Sequence, residues 1–237
     1  MKLITFASFK GGAGKTTSLM AAAGALAAQG YKVGLFEADE NEPLSAWRDY
    51  AQDKGTWDER CAIRSTMDLG AFETAYEAFE QDGFDIVMAD TQGGGSDLNA
   101  TILASSDLIV IPTALTRIDV DSTLDTYAFV DTLFQDQDIT GVDVGILVTQ
   151  LPTGKLTAAA QFCLETVENL PSFDCRLPSR SAFADLKSLG MLHLYHAALS
   201  AIPAKRIAAT HIATAMKDAD RLAADLLDAV GLKHAAA

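Results

Sequence analysis

The sequence is poor in cysteine and histidine, and both shortages argue against metal or disulfide scaffolds. Its three cysteines, Cys61, Cys163 and Cys175, include no CxxC pair, so neither a disulfide framework nor a zinc ribbon is indicated. Among four histidines, His193 and His196 form the only close pair and have no third ligand near them in the sequence. Two imidazoles alone make a poor metal site. We therefore expect ordinary packing cysteines and no metal bound by the histidine pair.

Long apolar runs and excess positive charge are also lacking. No apolar run reaches the roughly 18 residues that a membrane-spanning helix needs, and the apolar start at residues 2–6 is too short for a signal peptide. We expect a cytoplasmic protein without membrane insertion. The formal net charge of −14 opposes binding to anionic lipid and argues against a protein that coats DNA, so any DNA contact must be local.

The apolar residues that are present alternate between strand-like and helix-like patterns. They make up 49% of the chain, enough for one sizeable core, and we expect residues 1–237 to form a single α/β domain. The alternation predicts a mostly parallel, twisted sheet with helices on both faces. The predicted strands are Lys2–Ser8, Lys32–Ala38, Asp85–Ala89, Leu108–Pro112 and Asp143–Thr149. The predicted helices are Lys15–Gln29, Leu69–Gln81, Ser122–Phe134, Leu156–Leu170 and a long one from about Ala204 to Val230.

The segment after the first predicted strand has the composition of a phosphate-binding loop. It precedes a predicted helix and consists of Lys10-Gly11-Gly12-Ala13-Gly14-Lys15-Thr16-Thr17. Glycines let backbone N–H groups converge on phosphate oxygens, and a helix N-terminus adds a positive dipole. In this loop we expect Lys15 to reach the β- and γ-phosphates of ATP and the Thr16 hydroxyl to coordinate Mg²⁺. The common pattern of P-loop proteins has glycine at position 9, where this chain has Phe9.

Lys10, directly before the paired glycines, sets this loop apart from the ordinary one. The pattern resembles the deviant Walker A group of P-loop ATPases, which includes ParA, MinD, the nitrogenase iron protein and the arsenite-pump ATPase. The resemblance implies that Lys10 reaches across a nucleotide-sandwich homodimer to the phosphates bound by the partner subunit. A lysine there supplies positive charge to a phosphoryl-transfer transition state, as an arginine finger does. The implied cofactors are ATP and Mg²⁺.

Two aspartates follow the next predicted strands. The resemblance implies that Asp39 positions or activates the attacking water, and that Asp90 is the Walker B carboxylate that holds Mg²⁺ through its water shell. Glu37 occupies the place of the first aspartate of the family's D-x-D pattern, so its role stays open. Relatives usually continue D-T-P-P-G after the Walker B strand, whereas this chain has Gln92-Gly93-Gly94 after Thr91. The detail of the loop that senses the γ-phosphate therefore stays open too.

The resemblance extends over nearly the whole chain. Residues 106–113 look like the family's fourth-strand segment, and residues 177–183 resemble its segment near the nucleotide base. More specific strings lie at residues 6–10, 38–44, 89–94 and 190–194. Together these strings resemble the VirC-type ATPases, which promote T-DNA processing and recruit relaxase complexes for conjugation-like transfer.

From the motifs and the resemblance we expect an ATP-dependent dimerising switch that hydrolyses MgATP slowly and binds DNA in its ATP-bound dimer. It would act in DNA partition or in T-DNA and plasmid transfer, with a protein partner of the relaxase or adaptor type. Two alternatives stay open: a nucleotide-gated protein recruiter without direct DNA binding, and a small-molecule phosphate-transfer or ligase enzyme of the same fold. The candidate DNA contacts are the cations of the C-terminal third, Arg176, Arg180, Lys187, Lys205 and Arg206.

Overall fold

The computed structural model describes residues 1–39, 41–91 and 96–233, whose strands form a single parallel sheet. The strands are β1 (Lys2–Phe6), β2 (Val33–Glu37), β3 (Cys61–Ser65), β4 (Ile86–Asp90), β5 (Leu108–Thr113), β6 (Asp143–Leu151) and β7 (Ser172–Pro178). Across the sheet these described strands follow the seven-stranded order β3-β2-β4-β1-β5-β6-β7. Every neighbouring pair is parallel.

Helices cover both faces of this sheet. They are α1 (Lys15–Ala28), α2 (Pro43–Asp53), α3 (Leu69–Gln81), α4 (Asp97–Ala104), α5 (Arg117–Asp136), α6 (Ala158–Glu168), α7 (Ser181–Ala184), α8 (Leu186–Leu189), α9 (Leu192–Ser200) and α10 (Arg206–Ala229). Successive side chains of a strand point to opposite faces. Ile4 accordingly packs in one core cluster with Leu19 of α1, whereas Leu3 packs in another with Phe72 of α3. The predicted α/β fold, a parallel sheet between helical layers, is confirmed.

The sequence predictions were right for the central strands and incomplete at the edges. All five predicted strands are present, with ends shifted by a few residues, but β3 and β7 were missed. Both lie at an edge of the sheet, where one side is open and a continuous apolar run is not needed. With β3 counted, the strand that ends at Asp90 is β4, and residues 106–113 contain β5.

The helices α1 and α10 pack together in one core cluster. Most of α1 is buried, including the fully buried Leu19 and Leu26, because its alanines allow neighbouring elements to approach closely. Against it, α10 presents one apolar stripe that includes the fully buried Leu222 and Leu226. The free cysteines are all buried packing residues. No helix in the described ranges combines the length and apolar character needed to cross a membrane.

The string at residues 190–194 docks α9 against the loop before β3. Gly190 has a φ of +80°, and a Cβ there would lie 2.0 Å from the Thr56 hydroxyl oxygen, so only glycine fits without rearrangement. The next residue, Met191, donates its backbone N–H to the Thr56 carbonyl at 2.9 Å. His193 then pairs with Asp58 through Nε2 at 3.1 Å. This string is therefore explained by packing at the amino end of β3.

Parallel register brings the predicted site residues to one edge. Asp90 at the end of β4 pairs with Phe6 of β1 on one side and with Glu37 of β2 on the other. The loop from β1 to α1 thus begins beside the two carboxylates. Ligands of open parallel sheets bind at this carboxyl edge, so the fold places the glycine-rich loop and the acidic strand ends in position to share a ligand.

Candidate nucleotide site

The glycine-rich loop is held in shape by residues at the end of β6. Gly12 and Gly14 have φ values of +85° and +92°, which residues with a side chain rarely adopt. The Thr149 hydroxyl donates to the Ala13 carbonyl at 2.8 Å, and the Gln150 side-chain amide donates to the Gly12 carbonyl at 2.7 Å. Because these bonds occupy loop carbonyls, they support a loop conformation suited to presenting N–H groups.

The N-terminus of α1 follows this loop without a side-chain cap. Gly14 is the N-cap residue and offers no side-chain hydrogen bond, so the first backbone N–H groups of the helix need an outside acceptor. A helix N-terminus with free N–H groups and a positive dipole favours an anion, above all phosphate. The start of α1 therefore suits the binding of a phosphate group.

An open cleft of about 370 Å³ brings the predicted phosphate and metal residues together. Its walls include Lys15 and Thr16 from the start of α1, Asp39 from the loop after β2, and Asp90 from the end of β4. Lys10, also predicted for this site, does not line the cleft. The cleft thus combines a cation for phosphate, a hydroxyl and two carboxylates.

Asp90 and Thr16 have the features of a site for a divalent cation. The Thr16 hydroxyl donates to Oδ2 of Asp90, whereas Oδ1 is buried and has no partner among the described residues. Burial raises the pKa of Asp90, and the hydrogen bond from Thr16 and the charge of Lys15 oppose that rise. A buried carboxylate oxygen without a partner, beside a hydroxyl, fits Mg²⁺, which prefers oxygen ligands and bound water.

Asp39 is oriented by a residue that the motif analysis did not single out. Asn41 donates to Oδ1 of Asp39 through its backbone N–H at 2.8 Å and through its side-chain amide at 2.9 Å. Both of these bonds use the same carboxylate oxygen, Oδ1. Only the position of Asn41 within the VirC-type string at residues 38–44 could have drawn attention to it.

Glu37, whose role the sequence left open, contacts a helix and does not line the cleft. The carboxylate is buried and accepts the Ser45 backbone N–H at 2.7 Å, at the first turn of α2. Burial raises its pKa, and hydrogen bonds from Ser45 and Leu44 oppose that rise. The N-cap residue of α2, Glu42, makes no side-chain cap, so Glu37 supplies the acceptor that this helix end requires.

Lys10 is paired within its own chain. Its ammonium group contacts Oδ1 of Asp119 in the first turn of α5, and the Thr116 hydroxyl donates to the other oxygen of that carboxylate. Asp119 is buried, while about a third of the Lys10 side chain is exposed. Asp119 was missed by sequence reasoning, although Thr116 and Asp119 have the three-residue spacing of a helix-capping pair.

A second cavity, of about 240 Å³, lies at another face of the α1 N-terminus. Loop and helix residues Gly14, Thr17 and Ser18 form one side of it, and the segment that resembles the family's base-binding segment forms another. That segment contributes Leu177, Pro178, Ser179, Arg180 and Phe183. We call this space the base-side cavity.

The five candidate DNA cations differ in their surroundings. Arg176 is paired with Glu168, and Arg180 is paired with Asp218 on α10. No ion pair with a described residue involves the other three candidates, Lys187, Lys205 and Arg206. The three are exposed. Gln92, Gly93 and Gly94, which depart from the family pattern, lie outside the described residues.

Lys205 and Arg206 lie where the chain passes from α9 into α10, in an exposed segment, residues 201–208, that we call the hairpin tip. All eight of its residues are exposed, and Ile207 retains 78% of its accessible surface. No aspartate or glutamate occurs between Asp185 and Asp218. The hairpin tip is therefore a locally basic and partly apolar surface on an acidic protein.

Comparison with known proteins identifies relatives over nearly the full chain. A family model described as VirC1 protein matches residues 1–232. Protein virC1 of Rhizobium radiobacter is 43% identical over 218 residues, which cover 92% of this chain and 94% of the relative. The residues matched by the family model include both the nucleotide cleft and the hairpin tip.

Solved structures with the same fold are more distant in sequence. An ATP complex of McdA from Cyanothece has a TM-score of 0.69 at 14% identity and covers 100% of this chain and 99% of its own. A plasmid partition protein from Borrelia burgdorferi has a TM-score of 0.62 at 16% identity, with 96% and 99% coverage. At these identities the likeness establishes the fold alone, which this chain shares with McdA and with the plasmid partition protein.

Proposed function

The chain belongs to the VirC1 family, and from that premise we propose that it is an ATP-dependent dimerising switch. In this proposal it hydrolyses MgATP slowly, binds DNA as its ATP-bound dimer, and acts in T-DNA or plasmid transfer or in DNA partition. Transfer would involve a relaxase or adaptor-type protein partner. The observation that carries the proposal is the convergence of Lys15, Thr16, Asp39 and Asp90 on one cleft beside the glycine-rich loop.

Each residue of the cleft has a chemical task in this proposal. The loop N–H groups and Lys15 bind the phosphates, and Thr16 and Asp90 provide the oxygen atoms that hold the metal. Mg²⁺, when bound, neutralises charge that develops on the phosphate oxygens. Asp39, oriented by Asn41, positions the water that attacks the γ-phosphate.

Lys10 gives the proposed dimer its dependence on nucleotide. A ligand shifts an equilibrium only through contacts that are better in one state than in the other. The phosphates bound by the partner subunit would offer Lys10 such a contact in the dimer. To make it, Lys10 must leave Asp119, so its intramolecular ion pair opposes dimerisation until ATP is present. The partner's ATP and Asp119 thus compete for one ammonium group.

The hairpin tip is the proposed DNA contact. Lys205 and Arg206 are exposed there and free of ion pairs with described residues, so they are available to phosphates. Binding of DNA phosphates by cations releases counterions and is sensitive to salt. Dimerisation would join two such tips, and two weak contacts on one DNA molecule bind more tightly than one.

The protein recruiter remains the second candidate because of one feature of the same surface. Ile202 and Ile207 are exposed beside Lys205 and Arg206. Exposed isoleucines gain little from phosphates, whereas they are buried in protein interfaces. A partner segment with acidic and apolar side chains would fit the hairpin tip equally well.

A single experiment separates these functions. Retention of a random-sequence DNA duplex and the sedimentation of the protein are both measured for the wild type without nucleotide, with MgADP and with MgATP, and for the Asp39→Ala variant with MgATP. The proposal expects retention with MgATP only, prolonged in the variant because hydrolysis is blocked. Dimerisation with MgATP but no retention of DNA would favour the protein recruiter. Absence of both MgATP-dependent dimerisation and MgATP-dependent retention would contradict the switch.

A further inference from the structure

The base-side cavity has one charged side chain in its described lining, Arg180. The guanidinium donates through Nε to Oδ2 of Asp218, which lies on α10 and is buried. Its Nη groups make no hydrogen bond to a described residue. Arginine is a donor with a rigid, planar group. A bond at Nε fixes the orientation of that plane while its remaining donors stay available.

A second polar group of this cavity also lacks a partner. Ser18 lines the cavity and is 1% exposed, and its hydroxyl forms no hydrogen bond within the described part of the chain. A buried hydroxyl without a partner is costly unless a ligand or water satisfies it. The Nη groups of Arg180 and the hydroxyl of Ser18 are thus two polar groups of the cavity lining without a partner among the described residues.

The remaining walls are suited to a flat, apolar ring with polar edges. Leu177, Pro178 and Phe183 contribute apolar surface. The cavity adjoins Gly14 and Thr17 of the phosphate-binding loop, so a ligand that fills it can extend from phosphates bound at α1. A guanidinium binds such a ring through its face or by donating to ring nitrogens. Either contact is weakened when the plane of the guanidinium is free to rotate.

We propose that Asp218 is a positioning residue for nucleotide recognition: it holds Arg180 against the bound base, so that α10 becomes part of the nucleotide site. This inference rests on the proposed function, because it requires a nucleotide at α1. It also assigns Arg180 a role other than the DNA contact suggested by its charge. Asp218 touches no nucleotide itself and acts through Arg180.

The test compares the affinities of two ligands that differ in the base. MgATP fills both the phosphate cleft and the base-side cavity, whereas magnesium tripolyphosphate fills only the cleft. Calorimetric titration of Arg180→Met is expected to show MgATP affinity reduced about tenfold, the size of one cation–π contact. Tripolyphosphate affinity is expected to stay unchanged. Asp218→Asn should also reduce the affinity for MgATP, by a similar or smaller factor, and leave the affinity for tripolyphosphate unchanged.

The double variant tests whether Asp218 acts through Arg180. If it does, Arg180→Met combined with Asp218→Asn binds MgATP as Arg180→Met does, because the second change removes nothing further. Arg221→Met is the matched control, since Arg221 lies 3.8 Å from Asp218 but is absent from the cavity lining and has a side chain that is 75% exposed. Its ratio of MgATP to tripolyphosphate affinity should equal that of the wild type.

The outcomes separate this inference from the function on which it rests. Failure of the wild-type protein to bind either ligand would sink the nucleotide site itself. Normal wild-type binding with an unchanged affinity ratio in Arg180→Met or in Asp218→Asn would overturn this inference and leave the nucleotide site standing. Equal losses for both ligands would mean that the substitution disturbs the loop and would also overturn it. Arg180→Lys, which keeps the charge without the planar group, provides a second variant if Arg180→Met unfolds.

Discussion

At the level of single residues, Lys10 and Lys15 belong to one loop but contact different parts of the molecule. Lys15 lines the phosphate cleft, whereas Lys10 pairs with Asp119 at the start of α5. Both lysines were predicted for the nucleotide site from the loop pattern. The pairing of Lys10 could not be predicted, because it depends on a residue 109 positions away in the chain. The same reason kept Asp218 out of the prediction.

The first prediction concerns Lys15. Lys15→Ala should reduce ATP affinity by about 100-fold, because it removes a charge-assisted contact to the phosphates. The fold should survive, since the side chain lines an open cleft and not the core. Equilibrium dialysis measures the affinity, and Lys217→Ala, an exposed lysine of α10, is the control. Near-wild-type affinity of Lys15→Ala would rule out the phosphate-binding role of the loop.

The second prediction concerns the partner of Lys10. Asp119→Asn removes the charge that retains Lys10 within its own chain, so half-maximal dimerisation should require several-fold less ATP. Asp121→Asn is the control, because Asp121 lies in the same helix, is exposed and pairs with Arg117 instead. Light scattering at increasing ATP concentration measures the midpoint. An unchanged or higher midpoint for Asp119→Asn would show that the ion pair does not restrain dimerisation.

At the level of elements, the strands that the sequence predicted correctly are the more buried ones, and the strands that it missed are more exposed. The central strands β1, β4 and β5 are buried along their whole described length or nearly so, and an apolar run of that kind is recognisable. In contrast, β3 has one buried residue, and β7 alternates irregularly. The helix α2 was missed too, and its start depends on Glu37, a buried carboxylate at the end of another element.

The third prediction tests this capping of α2. Glu37→Ala should lower the free energy of unfolding by about 1 kcal/mol, the usual cost of losing a cap. Glu37→Gln keeps an oxygen that can accept the Ser45 N–H, so its stability should stay near that of the wild type. Urea unfolding at pH 7 measures both, with the exposed Glu77→Ala on α3 as the control. Equal stability of Glu37→Ala and Glu77→Ala would contradict the capping role.

At the level of the whole molecule, the distribution of charge matters more than its sum. The chain has a net charge of −14, yet the stretch between Asp185 and Asp218 has no acidic residue. The hairpin tip thus offers cations at one place, while the rest of the acidic surface repels DNA. Composition predicted that a DNA contact would be local. Of the five candidate DNA cations, Arg176 and Arg180 form ion pairs, whereas Lys187, Lys205 and Arg206 form none with a described residue.

The fourth prediction tests the location of the DNA contact. Reversal of charge in the double variant Lys205→Glu with Arg206→Glu should weaken DNA binding of the MgATP state at least tenfold and reduce its salt dependence. ATP affinity should be unchanged, because both residues lie outside the nucleotide cleft and the base-side cavity. Arg176→Glu, which removes a cation paired with Glu168, is the comparison. Equal DNA affinity of the double variant and the wild type would exclude the hairpin tip.

The central claim is that ATP joins two subunits through Lys10, and sedimentation velocity with MgATP tests it most directly. Asp39→Ala should accumulate as a dimer, because it keeps the phosphate contacts and loses the group that orients water. Lys10→Ala should bind ATP through Lys15 yet sediment as a monomer at concentrations where the wild type is dimeric. If Lys10→Ala and the wild type instead dimerise equally with MgATP, the nucleotide-sandwich account is wrong.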